Sequence, residues 1–268
     1  MKHKSILYQD KAIINYQDEG QGNETLVLLH GFMHNLDVWA SYVFKYMKDI
    51  RVIAIDLLGH GETSDLSESH SMEMQADMVK SVLDHVGVKN CVIAGHSMGG
   101  YVALAFAERY PEAVKGLSLL NSHALKDTEE GREGRQKNCE IIQNNRASFI
   151  VSFIPELFFA GNRGKLYSEI KEIQDMAMGM KAESIIAAQK GMMEKPSRLD
   201  ILVNAPYPIL FLAGKQDPRI VMEKVFAQAM MPKHSELMML DDVGHMIHVE
   251  AKSVVQQRLL SFTKMCYL

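Results

Sequence analysis

Cysteine is scarce in these 268 residues: Cys91, Cys139 and Cys266 are odd in number and far apart. That excludes a disulfide framework and a cysteine-rich zinc cluster as the organising element, and it suits a reducing cytoplasm. No apolar run approaches the ~18 residues that cross a bilayer. The N-terminal stretch "MKHKSILYQDKAIINYQDEG" has no apolar core, so no secretory leader is expected. Charge is in excess of neither sign: the net is −4, without a block of like charge. Neither a nucleic acid nor a membrane surface is therefore expected as a partner. Tryptophan occurs once, whereas methionine occurs 19 times, a soft and adaptable packing material. Apolar residues at 47% and charged residues at 23% are the balance of an ordinary globular chain. Its length suffices for one large α/β domain or two small ones.

What is present is an alternation of strand and helix patterns. "SILYQD" and "AIINYQD" read as two short strands, and "TLVLLHG" as a strand buried on both faces. Leu36 to Met47 reads as a helix and "RVIAIDLLG" as another buried strand. In "SMEMQADMVKSVLDHVG", Met72, Ala76, Val79, Leu83 and Val86 share one helical face, with Gly87 suited to the end. The strand Cys91–Ala94, a helix to Tyr110 and the strand "VKGLSLLNS" follow. From Ser122 to about Ala205 the pattern is helical throughout, with clusters of Phe and Met. "PYPILFLAGKQD", "RIVMEKVFAQAM", "SELMMLDDVGH" and "AKSVVQQRLLSFTKM" then resume strand, helix, strand and helix. One parallel-dominated sheet with helices on both faces accounts for this, with residues 1–121 and 206–268 as its core and 122–205 as a helical insertion.

"GHSMGG" at 95–100 sets a serine between a strand and a helix, with glycine two residues before and after. G-x-S-x-G in that context needs a tight, strained turn, and side chains at Gly95 and Gly99 would collide with its centre. The turn lifts Ser97 to the helix N-terminus, where free N–H groups favour a developing negative charge. A plain helix-capping serine is the alternative. A nucleophilic serine needs a base and an orienting acid. His245, past the last apolar strand, is the candidate base; His248 reads as a surface residue at the start of the last helix, and His96 as facing away from Ser97. Asp217 ends "ILFLAGKQD" and is the candidate acid, whereas Asp241 and Asp242 read as a solvated strand end. Residue 121, the other place for an acid, is Asn. The order Ser97, Asp217, His245 is that of a nucleophile-elbow hydrolase. Backbone N–H groups of Met98 and of Phe32, in "HGF", are the expected oxyanion donors. His30 and His34 are four apart, but no third ligand follows at a suitable spacing, so neither a metal nor a cofactor is expected.

With "HGF" (30–32), Trp39, "DLLGHGETS" (56–64), "GHSMGG", "LFLAGKQD" ending at Asp217, and "GHMIHVE" (244–250), the chain resembles the α/β-hydrolase-fold family with a helical cap. The resemblance implies an eight-stranded, mostly parallel sheet, a cap at 122–205, and Ser97, Asp217 and His245 as a triad. It implies a carboxylic ester or thioester hydrolase acting on a small-molecule substrate with an apolar acyl or aryl part, if the Phe and Met clusters line the site rather than simply pack. C–C bond hydrolysis and the pyruvate elimination of menaquinone synthesis are the same-fold alternatives, and a non-catalytic ligand receptor is a third. The pyruvate-eliminating enzymes follow S-x-G-G with arginine, where this chain has Tyr101. Arg132, Arg135, Arg146 and Arg163 could supply cations for a dicarboxylate, but each reads first as a solvated helix face. Oligomeric state is not encoded in any pattern found.

Overall fold

The computed structural model describes residues 2–268. Eight strands form one sheet in the order β1 (Lys4–Tyr8), β2 (Ala12–Glu19), β4 (Arg51–Ile55), β3 (Thr25–Leu29), β5 (Cys91–His96), β6 (Val114–Leu120), β7 (Ile209–Gly214) and β8 (Ser235–Leu240). The hairpin β1–β2 and the pair β2–β4 are antiparallel; every other pairing is parallel. β3, β5 and β7 are buried at every position, as continuous apolar runs require when helices cover both sides of a sheet. Along β3 the side chains alternate between two cores: Val27 and Leu29 join one, Leu26 and Leu28 the other. β8, at the edge, is only partly buried.

Short helices connect the strands. α1 (Ala40–Tyr46) follows a 3-10 turn over Leu36–Trp39, which splits the single helix expected there. α2 (Met72–His85) is capped by Ser71, whose Oγ accepts the Met74 N–H at 3.1 Å, and its apolar stripe is buried. α3 (Met98–Arg109) is buried along its first ten residues, packing between sheet and α2. Between β6 and β7 the chain forms α4 (Glu129–Glu156), α5 (Tyr167–Met178), α6 (Ala182–Glu194) and α7 (Leu199–Asn204). α4 breaks at Asn145, where φ is −155° and ψ is 74°; Asn145 Oδ1 then accepts the Ser148 N–H and caps the second half. α8 (Met222–Ala229), α9 (Ile247–Glu250) and α10 (Lys252–Met265) complete the fold. Among the described residues, no helix is long and apolar enough to cross a membrane.

Four buried or half-buried cations tie the α4–α7 segment together and to the helices α2 and α3. Arg198 sends its guanidinium to Glu73 on α2 and to Glu108 on α3. Asp127, ahead of α4, bridges Arg135 and the buried Lys195, between α6 and α7. Arg146 donates to the carbonyls of Met178 and Met180 at the end of α5, satisfying acceptors that a helix terminus leaves open. The solvated-face reading therefore fails for Arg135 and Arg146, while Arg132 is exposed and Arg163 pairs with Glu156 at 3.1 Å.

Candidate active site

Ser97 sits in a strained backbone conformation, φ 50° and ψ −113°, between the last residue of β5 and the first of α3. A Cβ on Gly95 would lie 2.2 Å from the Gly99 carbonyl oxygen, and one on Gly99 would lie 2.5 Å from the Leu29 carbonyl oxygen. The glycines thus allow α3 to press against β5 and β3. Ser97 occupies the capping position of α3 but its hydroxyl caps nothing. It is bonded instead to Nε2 of His245, at 2.8 Å.

His245 Nδ1 is 2.8 Å from Asp217 Oδ2. Both side chains are shielded from solvent. Asp217 comes from the loop after β7 and His245 from the loop after β8, so each is delivered at the carboxyl end of a parallel strand beside Ser97. Asp217 Oδ1 accepts the backbone N–H groups of Arg219 and Ile220 at 2.7 and 3.1 Å, and Oδ2 also accepts Asn121 Nδ2 at 2.6 Å. Burial pushes the Asp217 carboxyl up, but His245 and these donors outweigh it and hold it below the usual carboxylate range. Asp241 and Asp242 are exposed, and Asp241 pairs with Lys215. The His245 N–H donates to the Leu157 carbonyl at 2.7 Å, which pins the loop against the end of α4.

Met98 is the first residue of α3 and its N–H has no acceptor within the helix. Among the described residues none is bonded to the Phe32 N–H either, although the next amide, Met33, donates to His60 Nε2. Phe32 lines a cavity of about 770 Å³ together with Ser97, His245, Phe153, Leu157, Met192, Ile220 and a polar wall, and Met98 directly follows Ser97. Of the aromatic and Met clusters in 122–205, Phe153 and Met192 line this cavity; Phe149 and Phe158 are buried in the core. The polar wall includes Arg135, Arg219, Lys126 and Lys224. Tyr101 also lines it, with Lys195 Nζ 4.6 Å from its ring centroid.

The sequence model of the alpha/beta hydrolase fold matches residues 24–138. A thermophilic esterase from Thermogutta terrifontis, solved with malate bound, superposes with a TM-score of 0.93 at 27% identity, over 100% of both chains. The chain has the α/β-hydrolase fold. It is also 27% identical, over 92% of its length and 93% of the relative's, to a protein of Bacillus subtilis described as a putative 2-succinyl-6-hydroxy-2,4-cyclohexadiene-1-carboxylate synthase. It is 27% identical over 91% of its length to the dihydrolipoyllysine-residue acetyltransferase component of the acetoin cleaving system of Pseudomonas putida, and spans 65% of that relative.

Behind the serine of this α/β-hydrolase fold lies a group that the sequence reading did not foresee. His248, expected at the surface, is fully buried, and its ring centroid is 4.2 Å from that of His96 and 6.2 Å from that of His34. Ring nitrogens of the three come within 4.8 Å of one another. His30 does not join them: its Nε2 accepts the Leu57 N–H at 2.9 Å. A Cβ on Gly31 would lie 2.5 Å from His96 Nδ1 and 3.0 Å from His34 Nδ1, so backbone fills the approach between these two nitrogens. His34 and His96 are stacked, 24° apart, which is a packing contact. The Nε2 of His96 bonds the carbonyl oxygen of His245 at 2.8 Å. Asn121, which in the sequence reads only as a position lacking an acid, donates its amide to Asp217.

Proposed function

We propose that the protein is a serine hydrolase of carboxylic esters or thioesters, with Ser97 as nucleophile, His245 as base and Asp217 as orienting acid. The observation that carries this is the unbroken hydrogen-bonded line from Ser97 Oγ through both nitrogens of His245 to Asp217 Oδ2. Asp217 accepts the Nδ1 proton and so leaves Nε2 free to take the serine proton. Ser97 Oγ attacks the ester carbonyl as His245 removes its proton, and the oxyanion that forms is met by the N–H groups of Phe32 and Met98. His245 returns the proton to the departing alcohol, leaving an acyl group on Ser97. A water, deprotonated by His245, then releases the acid by the reverse sequence. The 122–205 segment acts as a cap, contributing Phe153 and Met192 to the pocket. The same side chains would serve a pyruvate elimination of the kind named for the Bacillus subtilis relative. The arginines in the cavity wall favour that as the second reading.

The test is hydrolysis of p-nitrophenyl esters of increasing acyl length by the native protein and by Ser97→Ala. Turnover in the native protein that falls by at least 10³-fold in the variant is expected. An inactive native protein across the whole series sinks the ester reading and turns attention to elimination. Turnover that survives in Ser97→Ala sinks the assignment of the nucleophile.

A further inference from the structure

Four cations line the cavity, Lys126, Arg135, Arg219 and Lys224, against the carboxylates of Asp127 and Glu130. They are not equivalent. Arg135 is engaged: its Nε donates to Asp127 at 2.6 Å and its Nη1 to Gln189 at 3.1 Å. Arg219 has no such partner. Among the described residues its guanidinium makes neither a hydrogen bond nor an ion pair, although five N–H donors are available on it.

Arg219 is nevertheless held in place. Its backbone N–H is bonded to Asp217 Oδ1 at 2.7 Å, so the candidate triad acid fixes the residue's main chain. Its guanidinium lies over the Phe153 ring, with Cζ 4.4 Å from the centroid. Stacking of that kind orients the guanidinium plane and leaves its edge, with paired N–H groups, free. The Phe153 ring in turn stands edge-on to Phe32, centroids 6.1 Å apart. One aromatic ring therefore separates the free guanidinium from the side chain of the residue whose amide faces the reacting carbonyl. Arg219 is exposed at the cavity, so water solvates this oriented guanidinium until an anion takes its place. A planar fork matches a carboxylate through two parallel hydrogen bonds.

We propose that Arg219 binds a carboxylate of the substrate, so that the ester hydrolysed is one carrying a free carboxylate in the same small molecule, such as the monoester of a short dicarboxylic acid. This rests on the ester reading of Ser97 for the reaction, but not for the binding. The carboxylate lies across Phe153 from the oxyanion amides, and the apolar stretch of the substrate runs along Phe32 and Phe153 between the two polar ends.

The experiment compares mono-p-nitrophenyl glutarate with p-nitrophenyl valerate, esters of the same chain length with and without a terminal charge. The native protein is expected to favour the charged ester in kcat/KM by on the order of ten- to a hundredfold, as a charge-assisted bidentate contact allows. In Arg219→Met that ratio collapses towards one, and in Arg219→Lys it is partly restored because the charge remains without the fork. Equal use of the two esters by the native protein, or the same ratio in Arg219→Met, overturns the assignment. Calorimetric titration of glutarate into Ser97→Ala, with and without Arg219→Met, reads binding alone. Glutarate bound by the first and lost from the second supports the subsite even if no ester is turned over. No glutarate binding, or binding that ignores Arg219, overturns it. Inorganic phosphate that binds more tightly than glutarate would reassign the guanidinium to phosphate and overturn the carboxylate.

Discussion

At the residue scale, the balance of the site turns on how Asp217 is kept ionised while buried. Removing the Asn121 amide, 2.6 Å from Oδ2, takes away one of the contacts that hold the carboxyl down. Asn121→Leu is expected to raise the Asp217 pKa and to cut kcat/KM by about tenfold, the worth of one hydrogen bond to a charged group. Because the folded pKa lies below the ordinary carboxylate value of about 4, the stability that ionised Asp217 contributes is present above that value and is lost as pH falls through the folded pKa. The variant should lose it at a higher pH, and thermal melts from about pH 7 down to the acid limit of the fold, taken for both proteins, check this. A melting curve that keeps its acid limb unchanged would deny Asn121 that part. Ser97, Asp217 and His245 were legible in the sequence because each ends or follows a run with an unmistakable pattern. Asn121 and Arg219 were not, since what matters about them is where a side chain from one loop ends beside another. His248 was misread for the same reason: its burial comes from His34 and His96, which a linear pattern cannot bring together.

At the scale of elements, Asp127 holds the entry of α4 to the α6–α7 connection. It is nearly buried, paired with Arg135 and with Lys195, and Lys195 is almost wholly out of solvent. Burial pulls the Lys195 ammonium down to about 8, with Asp127 opposing, so the pair depends on both members. Asp127→Asn leaves two cations facing each other without a counter-charge and should cost roughly 3 kcal/mol or more. Adding Lys195→Met to it should recover part of that loss, because the uncompensated charge goes with it. Urea midpoints for the two single variants and the double measure the coupling, and strict additivity would show that the pair is not one unit. The strands were readable from sequence because β3, β4, β5 and β7 are runs of apolar residues that only a sheet covered on both faces accommodates. The 122–205 segment was readable as helical and no further. The break in α4 at Asn145 and the placing of Arg135 and Arg146 depend on contacts between helices, and a period of 3.6 residues is silent on those.

At the scale of the molecule, the histidines decide how the protein meets acid. Seven of the eleven are buried, and five of these, His30, His34, His60, His96 and His248, are wholly enclosed away from the reacting atoms. Burial, which opposes the charged ring, brings His30 to about 4 and His60 and His96 to about 3, and holds His34 and His248 well below the ordinary value. A base whose folded pKa is lowered binds its proton only when the chain unfolds. Stability is therefore undiminished above the unfolded value of about 6.5 and declines as pH falls below it. Each ring contributes a slope of about 1.4 kcal/mol per pH unit, so five together approach about 7 kcal/mol per unit, against a total stability of about 5–15 kcal/mol for ordinary domains. The protein should unfold cooperatively between about pH 4 and 6 as these rings take up protons. Urea midpoints taken at half-unit steps from pH 8 downward would give the slope directly, and a slope near one proton would mean that these rings take up protons in the native fold. His248→Phe removes one of the five and should lower the slope by about one proton while leaving the other four to titrate on unfolding.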